Sequence, residues 1–208
     1  MALALSLGAA YLAGAFPTAW LAGKARGVDV GREGSGNYGA TNVFRTLGPV
    51  PAVLVVVVDV AKGFLPVAFL PRLLPAEGVE PMTQAVALAA AAVLGHVYSV
   101  FLRFRGGKGI GTAAGAYLAL APWALLAAAL VWLLVVALTR IVSAASLLAS
   151  VALLAGVVVI AFAPRGSAGI LVGVTALLVL FVFWTHRANI GRLLRGEERK
   201  IAAGGRPR

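Results

Sequence analysis

Residues 110–138 read IGTAAGAYLALAPWALLAAALVWLLVVAL and contain no charged side chain. A membrane-crossing helix needs roughly 20 apolar residues, because about 1.5 Å of rise per residue must cover about 30 Å of hydrocarbon. The run is too long for one simple crossing, and Pro122 disfavours helical geometry in Ala121 before it. The sequence therefore predicts a short helix over 110–120 and a fuller one over 122–138.

Other apolar blocks flank this run on both sides. They are rich in Leu and Ala without strand-like alternation, which favours helices over barrel strands. We predict an all-α fold, a polytopic membrane helical bundle of about seven transmembrane helices, one of them short, in a single integral membrane domain over 1–208. The other five predicted spans are about 2–22, 50–70, 82–102, 141–163 and 168–184, with a turn at Pro164-Arg165-Gly166.

Composition supports a membrane location. Hydrophobic residues make up 61% of the chain and charged residues 12%. In soluble domains about half of the residues are hydrophobic and about a quarter are charged.

The absence of cysteine excludes disulfides and thiolate chemistry, and the few, dispersed carboxylates predict no metal site and no cofactor. A net charge of +11 would indicate nucleic acid only on a soluble basic face. Here the basic residues flank apolar blocks. We therefore predict that the chain contacts membrane lipid and binds no nucleic acid.

The distribution of basic residues predicts an N-terminus outside and a C-terminus in the cytoplasm, because cytoplasmic loops carry an excess of Lys and Arg. With seven crossings, only Arg72 and Arg165 lie outside and Lys62 lies within a span. Merging 110–138 into one crossing would leave the basic tail outside. The basic residues predicted inside are Lys24, Arg26, Arg32, Arg45, Arg103, Arg105, Lys108, Arg140, Arg187, Arg192, Arg195, Arg199, Lys200, Arg206 and Arg208.

The first inner loop reads GSGNYGATNVFR over residues 34–45. Its G-x-G-x-x-G spacing does not indicate a dinucleotide site, because a membrane helix rather than a strand precedes it. One alternative is a flexible connection between helices. The other is an oxyanion site, because hydroxyl, amide and guanidinium donors lie among small residues. The candidate ligands are Ser35, Thr41, Asn42 and Arg45.

The second inner loop, Gly106-Gly107-Lys108-Gly109, opens the short helix predicted over 110–120. It is not a Walker loop, because Leu102 stands where that motif requires glycine. Glycines nevertheless let backbone amides approach a phosphate, and a helix N-terminus and a lysine add positive charge. The alternative is an ordinary basic cytoplasmic turn.

The tail and the sixth span carry further polar residues. His186 and Asn189 are three residues apart and share one face of a helical turn, as do Ser143 and Ser146. Serines within helices commonly bond back to a carbonyl of the preceding turn, which is the structural alternative for that pair. The later residues Arg195, Glu197, Glu198, Arg199 and Lys200 are interpreted as a solvated, lipid-facing helix.

Asp59 and Lys62 lie inside the span predicted over 50–70. Charges within a membrane are costly and are usually paired, and the i, i+3 spacing permits a pair on one helix face. A structural role and support of an active site remain equal alternatives.

Three motifs in order resemble the bacterial acyl-phosphate:glycerol-3-phosphate acyltransferase family. They are G-S-G-N-x-G-A-T-N-x-x-R from residue 34, G-H-x-x-S-x-F-L-x-F-x-G-G-K-G from residue 95, and H-R-x-N-I-x-R-L-x-x-G from residue 186. The resemblance covers essentially the whole chain. It implies acyl transfer from acyl phosphate to the 1-hydroxyl of glycerol 3-phosphate, giving lysophosphatidic acid and phosphate at the first step of phospholipid synthesis.

The resemblance also implies residue roles and a location. Glycerol 3-phosphate would be held by Ser35, Arg45, Lys108, His186 and Asn189. Acyl phosphate would be surrounded by Thr41, Asn42, the amides of Gly106 and Gly107, Ser143 and Ser146. The expected location is the bacterial inner membrane, with several crossings and the active site facing the cytoplasm. Either the donor phosphate or His186 takes the hydroxyl proton, an acyl-Ser35 intermediate is a third possibility, and a transporter is the rival class of protein.

Overall fold

The computed structural model describes residues 1–161 and 169–201, and every regular element among them is helical. The predicted turn at Pro164-Arg165-Gly166 lies outside these residues. A short 3₁₀ turn, Val100–Leu102, follows the fifth helix. The α-helices are α1 (Ala2–Ala15), α2 (Thr18–Lys24), α3 (Ala40–Leu47), α4 (Pro49–Leu73), α5 (Pro81–Val97), α6 (Ile110–Leu120), α7 (Pro122–Thr139), α8 (Val142–Ala161), α9 (Gly169–Thr185) and α10 (Arg187–Leu194).

Five helical segments of the described chain are long and apolar enough to cross a membrane. A sixth is counted if α9 and α10, which meet at a bend of 63°, form one span. Helix α6 is a shorter apolar helix, as the sequence predicts, and Pro122 begins α7 at the predicted break. Proline suits the first position of a helix because its missing N–H has no intrahelical partner there. The membrane-helical architecture is therefore confirmed.

Three local features differ from the prediction. The first span is divided at Phe16 and Pro17, because proline cannot continue the hydrogen-bond ladder. The polar stretch before α4 contains the unpredicted helix α3, which ends at Leu47 and is followed by Gly48 with φ +90°. Residues 197–200, predicted as part of a lipid-facing helix, are not helical, whereas the helical turn predicted for His186 and Asn189 is present at the start of α10.

The described helices fall into two compact units, and Met1–Leu120 forms the first. Its helices cross closely through small residues. A Cβ at Gly14 of α1 would meet the backbone of Ala92 in α5, and one at Gly115 of α6 would meet the backbone of Val60 in α4. Small residues let membrane helices approach without bulky side chains between them. The core of this unit contains Ala10, Val67, Leu88, Ala89 and Ala116.

The second unit begins at Ala121 and contains α7 to α10. Helices α7 and α8 also approach at a small residue, because a Cβ at Gly156 would lie 2.9 Å from Ala124 Cβ. Large apolar side chains of α7, among them Trp123 at 76% and Leu138 at 75% exposure, face outward. Such surface on a membrane protein is covered by lipid rather than by water.

Candidate functional site

The first loop is held in place by Asn42, a fully buried residue in the first turn of α3. Its Oδ1 accepts a hydrogen bond from the Ser35 backbone N–H at 2.8 Å. Its Nδ2 donates to the carbonyls of Val30 at 2.9 Å and Glu33 at 3.0 Å. A Cβ at Gly34, whose φ is +61°, would collide with the Asn42 amide. The observed contacts of Asn42 therefore organise the loop, and its contact with substrate stays a prediction.

Three other candidates of this loop lie nearer the surface. Ser35 is exposed, and Thr41 and Arg45 are half-buried. Thr41 and Arg45 are four residues apart in α3, so both lie on one side of this short helix. The tether between Ser35 N and Asn42 Oδ1 brings the serine to the start of the same helix. The loop thus presents two hydroxyls and one guanidinium within two helical turns.

The second loop reverses the chain after α5. Arg103 and Phe104 adopt left-handed φ angles of 52° and 61°, which non-glycine residues rarely do. This turn returns Gly106 and Gly107 to the end of α5, where their N–H groups donate to the carbonyls of Val97 at 2.9 Å and His96 at 3.2 Å. The two amides thus have acceptors within the chain. Their contact with substrate stays a prediction.

Lys108 follows the two glycines and is half-buried, and Gly109, with φ +83°, precedes α6. The absence of side chains at 106 and 107 is required by close packing. A Cβ at Gly107 would collide with His96 Nε2 and lie 3.0 Å from the Tyr38 carbonyl. Because Tyr38 belongs to the first loop, this contact joins the two phosphate-suited loops within the first unit.

A narrow cleft with room for about one water molecule lies where these loops meet. Tyr38 and Gly107 line it. The break between α1 and α2 and the Asp59 and Lys62 side chains of α4 complete the lining. The cleft therefore connects both motif loops to the interior of the unit. The polar side chains that line it are Thr18, Tyr38, Asp59, Lys62, His96 and Ser99.

Asp59 and Lys62 form the predicted ion pair, with 2.8 Å between Nζ and Oδ1. Lys62 Nζ also donates to the Phe16 carbonyl at 3.1 Å, which the break before α2 makes accessible. Thr18 Oγ1 donates to Asp59 Oδ1 at 3.3 Å. His96 Nδ1 lies 3.8 Å from the same oxygen and has no hydrogen-bond partner in the described chain. His96 was absent from the sequence-based candidates, although it lies in the second motif.

In the second unit, His186 is buried between α9 and α10. Its Nδ1 lies 2.9 Å from the Val182 carbonyl, and the Thr185 hydroxyl lies 3.3 Å from the same nitrogen. A carbonyl only accepts, so the geometry assigns the proton of the neutral ring to Nδ1 and leaves Nε2 as the acceptor. This tautomer suits a ring that receives a hydroxyl hydrogen bond.

Asn189 and Ser143 converge on Glu198, which is 9% exposed. Asn189 Nδ2 donates to Oε1 at 2.6 Å and Ser143 Oγ donates to the same oxygen at 2.9 Å. Arg192 Nε donates to Oε2 at 2.7 Å. The interpretation of Glu198 as part of a solvated, lipid-facing helix is therefore wrong. Burial acts to raise the pKa of Glu198, but the hydrogen bonds from Asn189, Arg192 and Ser143 outweigh it and lower that pKa.

Ser146 has a different environment from Ser143, although both are buried. Its hydroxyl accepts a hydrogen bond from Trp132 Nε1 of α7 at 3.3 Å.

Glu197, the acid that precedes Glu198, pairs with Arg195 on the exposed side of the tail. No sequence spacing distinguishes Glu197 from Glu198, because only the packed structure decides which acid is buried.

The family model described as glycerol-3-phosphate acyltransferase matches residues 4–196. A glycerol-3-phosphate acyltransferase of Trichlorobacter lovleyi is 45% identical, over 93% of this chain and 95% of the relative. One of Myxococcus xanthus is also 45% identical, over 92% and 95%.

Two solved structures are similar over 97% of this chain and 96% of theirs. Both are crystal structures of PlsY (YgiH), an integral membrane glycerol 3-phosphate acyltransferase. The glycerol 3-phosphate form has a TM-score of 0.86 and 34% identity. The lysophosphatidic acid form has a TM-score of 0.84 and 33% identity.

Proposed function

The chain belongs to the glycerol-3-phosphate acyltransferase family, and on that premise we propose that it uses acyl phosphate as donor. The acyl group passes to the 1-hydroxyl of glycerol 3-phosphate, and lysophosphatidic acid and phosphate are released. The similar crystal structures in glycerol 3-phosphate and lysophosphatidic acid forms support this acceptor and this product.

The observation that carries the proposal is the meeting of the two motif loops at Tyr38 and Gly107. One loop carries Arg45 and the other carries Lys108, so two cationic side chains belong to one loop cluster of the first unit. Arginine and lysine both bind phosphate in proteins, through charge and hydrogen bonds. Both proposed substrates carry a phosphate, and the cluster suits a reaction between two such molecules.

The reaction chemistry and the sequence both support acyl phosphate as the acyl donor. The acceptor oxygen attacks the acyl carbon, the bond from that carbon to the phosphate oxygen breaks, and phosphate leaves. Because acyl phosphate is an activated mixed anhydride, no enzyme nucleophile is required. Acyltransferases of another kind use an H-x-x-x-x-D pair, but Phe101 follows His96 at that spacing and Gly191 follows His186.

The proposed ligands of glycerol 3-phosphate are Ser35, Arg45, Lys108, His186 and Asn189. Those of acyl phosphate are Thr41, Asn42, Gly106, Gly107, Ser143 and Ser146. The Asn189 amide is oriented by Glu198, and the His186 ring by the Val182 carbonyl. Both contacts preorganise side chains that would otherwise rotate, which supports their use in substrate binding.

We place the protein in the bacterial inner membrane with seven crossings, the N-terminus outside, and the C-terminus and active site in the cytoplasm. The seventh crossing requires α6 to count as a short span and α9 as another. The basic residues of both motif loops support this orientation through the positive-inside rule. Accessibility of single introduced cysteines at the exposed positions Ala25 and Glu77 would test it, since the native chain has no cysteine. Labelling of Glu77→Cys alone from outside the cell is the expected result.

The proton of the acceptor hydroxyl goes to the phosphate of the donor while His186 orients the acceptor. If His186 were the general base, His186→Gln would lower kcat by roughly 10²-fold at saturating substrates. We expect the substitution to raise KM for glycerol 3-phosphate instead, with kcat largely retained. An acyl-enzyme trapped on Ser35 with donor alone would indicate covalent catalysis and contradict direct transfer.

The deciding experiment uses the full chain purified in detergent. Conversion of palmitoyl phosphate and glycerol 3-phosphate to lysophosphatidic acid is expected. Its absence from a folded sample would refute the proposal. Uptake of glycerol 3-phosphate into protein-containing vesicles without acyl phosphate would instead indicate a transporter.

A further inference from the structure

Asp59, Lys62 and His96 form a buried polar cluster, and none of the three is among the proposed substrate ligands. Asp59 is 4% exposed, Lys62 8% and His96 6%. Asp59 and Lys62 lie within the membrane-spanning helix α4, where an ionisable side chain usually has a functional reason. The cluster lines the cleft to which both motif loops contribute.

The charges of the cluster suit a positioning role better than anion binding. The carboxylate of Asp59 and the ammonium of Lys62 lie 2.8 Å apart and cancel. Two of the groups that complete the pair, the Phe16 carbonyl and the Thr18 hydroxyl, come from the break in the first span. The pair is therefore fixed to the break in the first span and does not add net positive charge to the cleft.

His96 connects this pair to the glycine loop. Its Nδ1 lies 3.8 Å from Asp59 Oδ1. Its Nε2 lies so close to Gly107 that any side chain at that position would collide with it. Its backbone carbonyl accepts the Gly107 N–H at 3.2 Å. The 3.8 Å separation from Asp59 is too long for a hydrogen bond, so the ion pair limits where the buried ring can lie by close packing and charge. The residue after Gly107 is Lys108.

We propose that Asp59, Lys62 and His96 are positioning residues for acyl transfer: the ion pair orients the His96 ring, and the ring sets the glycine loop that presents Lys108. This role rests on the proposed function, in which Lys108 binds the phosphate of glycerol 3-phosphate. A misplacement of about 1 Å in such a ligand lowers the efficiency of a reaction by up to roughly 10²-fold. None of the three side chains is required to touch substrate.

The test compares Asp59→Asn, His96→Gln and their combination in the purified full chain. His96→Gln leaves the ion pair intact, so it remains informative if Asp59→Asn fails to fold. Each single variant is expected to raise KM for glycerol 3-phosphate roughly tenfold with kcat within about threefold. Because both act through the same ring, the double variant should be no worse than the poorer single variant.

A second measurement, limited cleavage by trypsin, reports the order of the glycine loop without requiring enzyme turnover. Arg103 and Arg105 are exposed trypsin sites in the turn before the glycines. Cleavage there, followed by mass spectrometry, should be roughly tenfold faster in both variants, because the loop loses its support. Ser6→Ala in α1 of the same unit is the matched control. Its hydroxyl is also buried, but it donates to the Leu3 carbonyl of its own helix at 2.9 Å and does not line the cleft, so KM and cleavage should not change.

Three outcomes would overturn the proposal. They are unchanged KM and cleavage in folded variants, multiplicative rather than shared effects in the double variant, and loss of folding in both single variants. If wild-type protein makes no lysophosphatidic acid, the proposed function fails, whereas the cleavage measurement still judges whether the cluster positions the loop.

Discussion

Asn189 Nδ2 lies 2.6 Å from Glu198 Oε1, which places the third motif against the chain that follows it. The same carboxylate accepts hydrogen bonds from Ser143 at the start of α8 and from Arg192 in α10. Glu198 thus joins three segments of the second unit. The Asn189 side chain, a proposed substrate ligand, is thus oriented by an acid that is not among the proposed ligands.

Glu198→Gln should destabilise the protein, because the amide cannot accept from three donors as the carboxylate does. Hydrogen bonds to a charged group contribute about 1.5–3 kcal/mol each, so the free energy of unfolding should fall by about 2 kcal/mol or more. The thermal midpoint in detergent measures this change. Glu197→Gln is the matched control, since its exposed pair with Arg195 should contribute less than about 1 kcal/mol. Equal effects of the two substitutions would contradict the role of Glu198.

The ionisation of Glu198 predicts an acid dependence of stability. The hydrogen bonds to Glu198 hold its folded pKa below the ordinary value of 4.5. Its stabilising contribution is therefore complete above 4.5 and is lost as pH falls through the folded pKa. The difference in thermal midpoint between wild type and Glu198→Gln should be largest near neutral pH and should shrink in acid. A difference that grows as pH falls would show that burial dominates instead.

Gly107→Ala should lower kcat/KM by roughly 10²-fold, because the new Cβ would displace either the His96 ring or the loop. Steady-state kinetics with both substrates measures this effect. Gly8→Ala in α1 of the same unit is the control, because a Cβ there meets nothing within 4 Å. Full activity of Gly107→Ala would show that the close contact between the two loops is unimportant.

Arg45→Lys should raise KM for glycerol 3-phosphate at least tenfold although the charge is retained. A guanidinium can bind phosphate through two parallel hydrogen bonds, which an ammonium cannot reproduce. Arg32→Lys provides the comparison, because Arg32 lies in the same loop region with its side chain 87% exposed and paired with Asp29. If both substitutions left KM unchanged, Arg45 would not be a phosphate ligand.

Local sequence properties were sufficient to predict most of the membrane helices. The break at Ala121-Pro122 was predicted from the length of the apolar run and from proline chemistry, and it is present between α6 and α7. The same chemistry at Pro17 divides the first span, but the long apolar block around it concealed the break. Helix α3 was missed because its short polar sequence resembles a loop, and its stability comes from the packing of Asn42 and Val43.

The sequence by itself determined the membrane class, the two basic glycine loops and the Asp59–Lys62 pair, because apolar length, loop composition and i, i+3 spacing are properties of neighbouring residues. Only the tertiary structure decided that Tyr38 meets Gly107, that His96 faces Asp59, and that Glu198 rather than Glu197 is buried. These contacts join residues far apart in the chain or select between identical side chains. Such choices depend on which surfaces the packed helices bring together, and no local pattern records them.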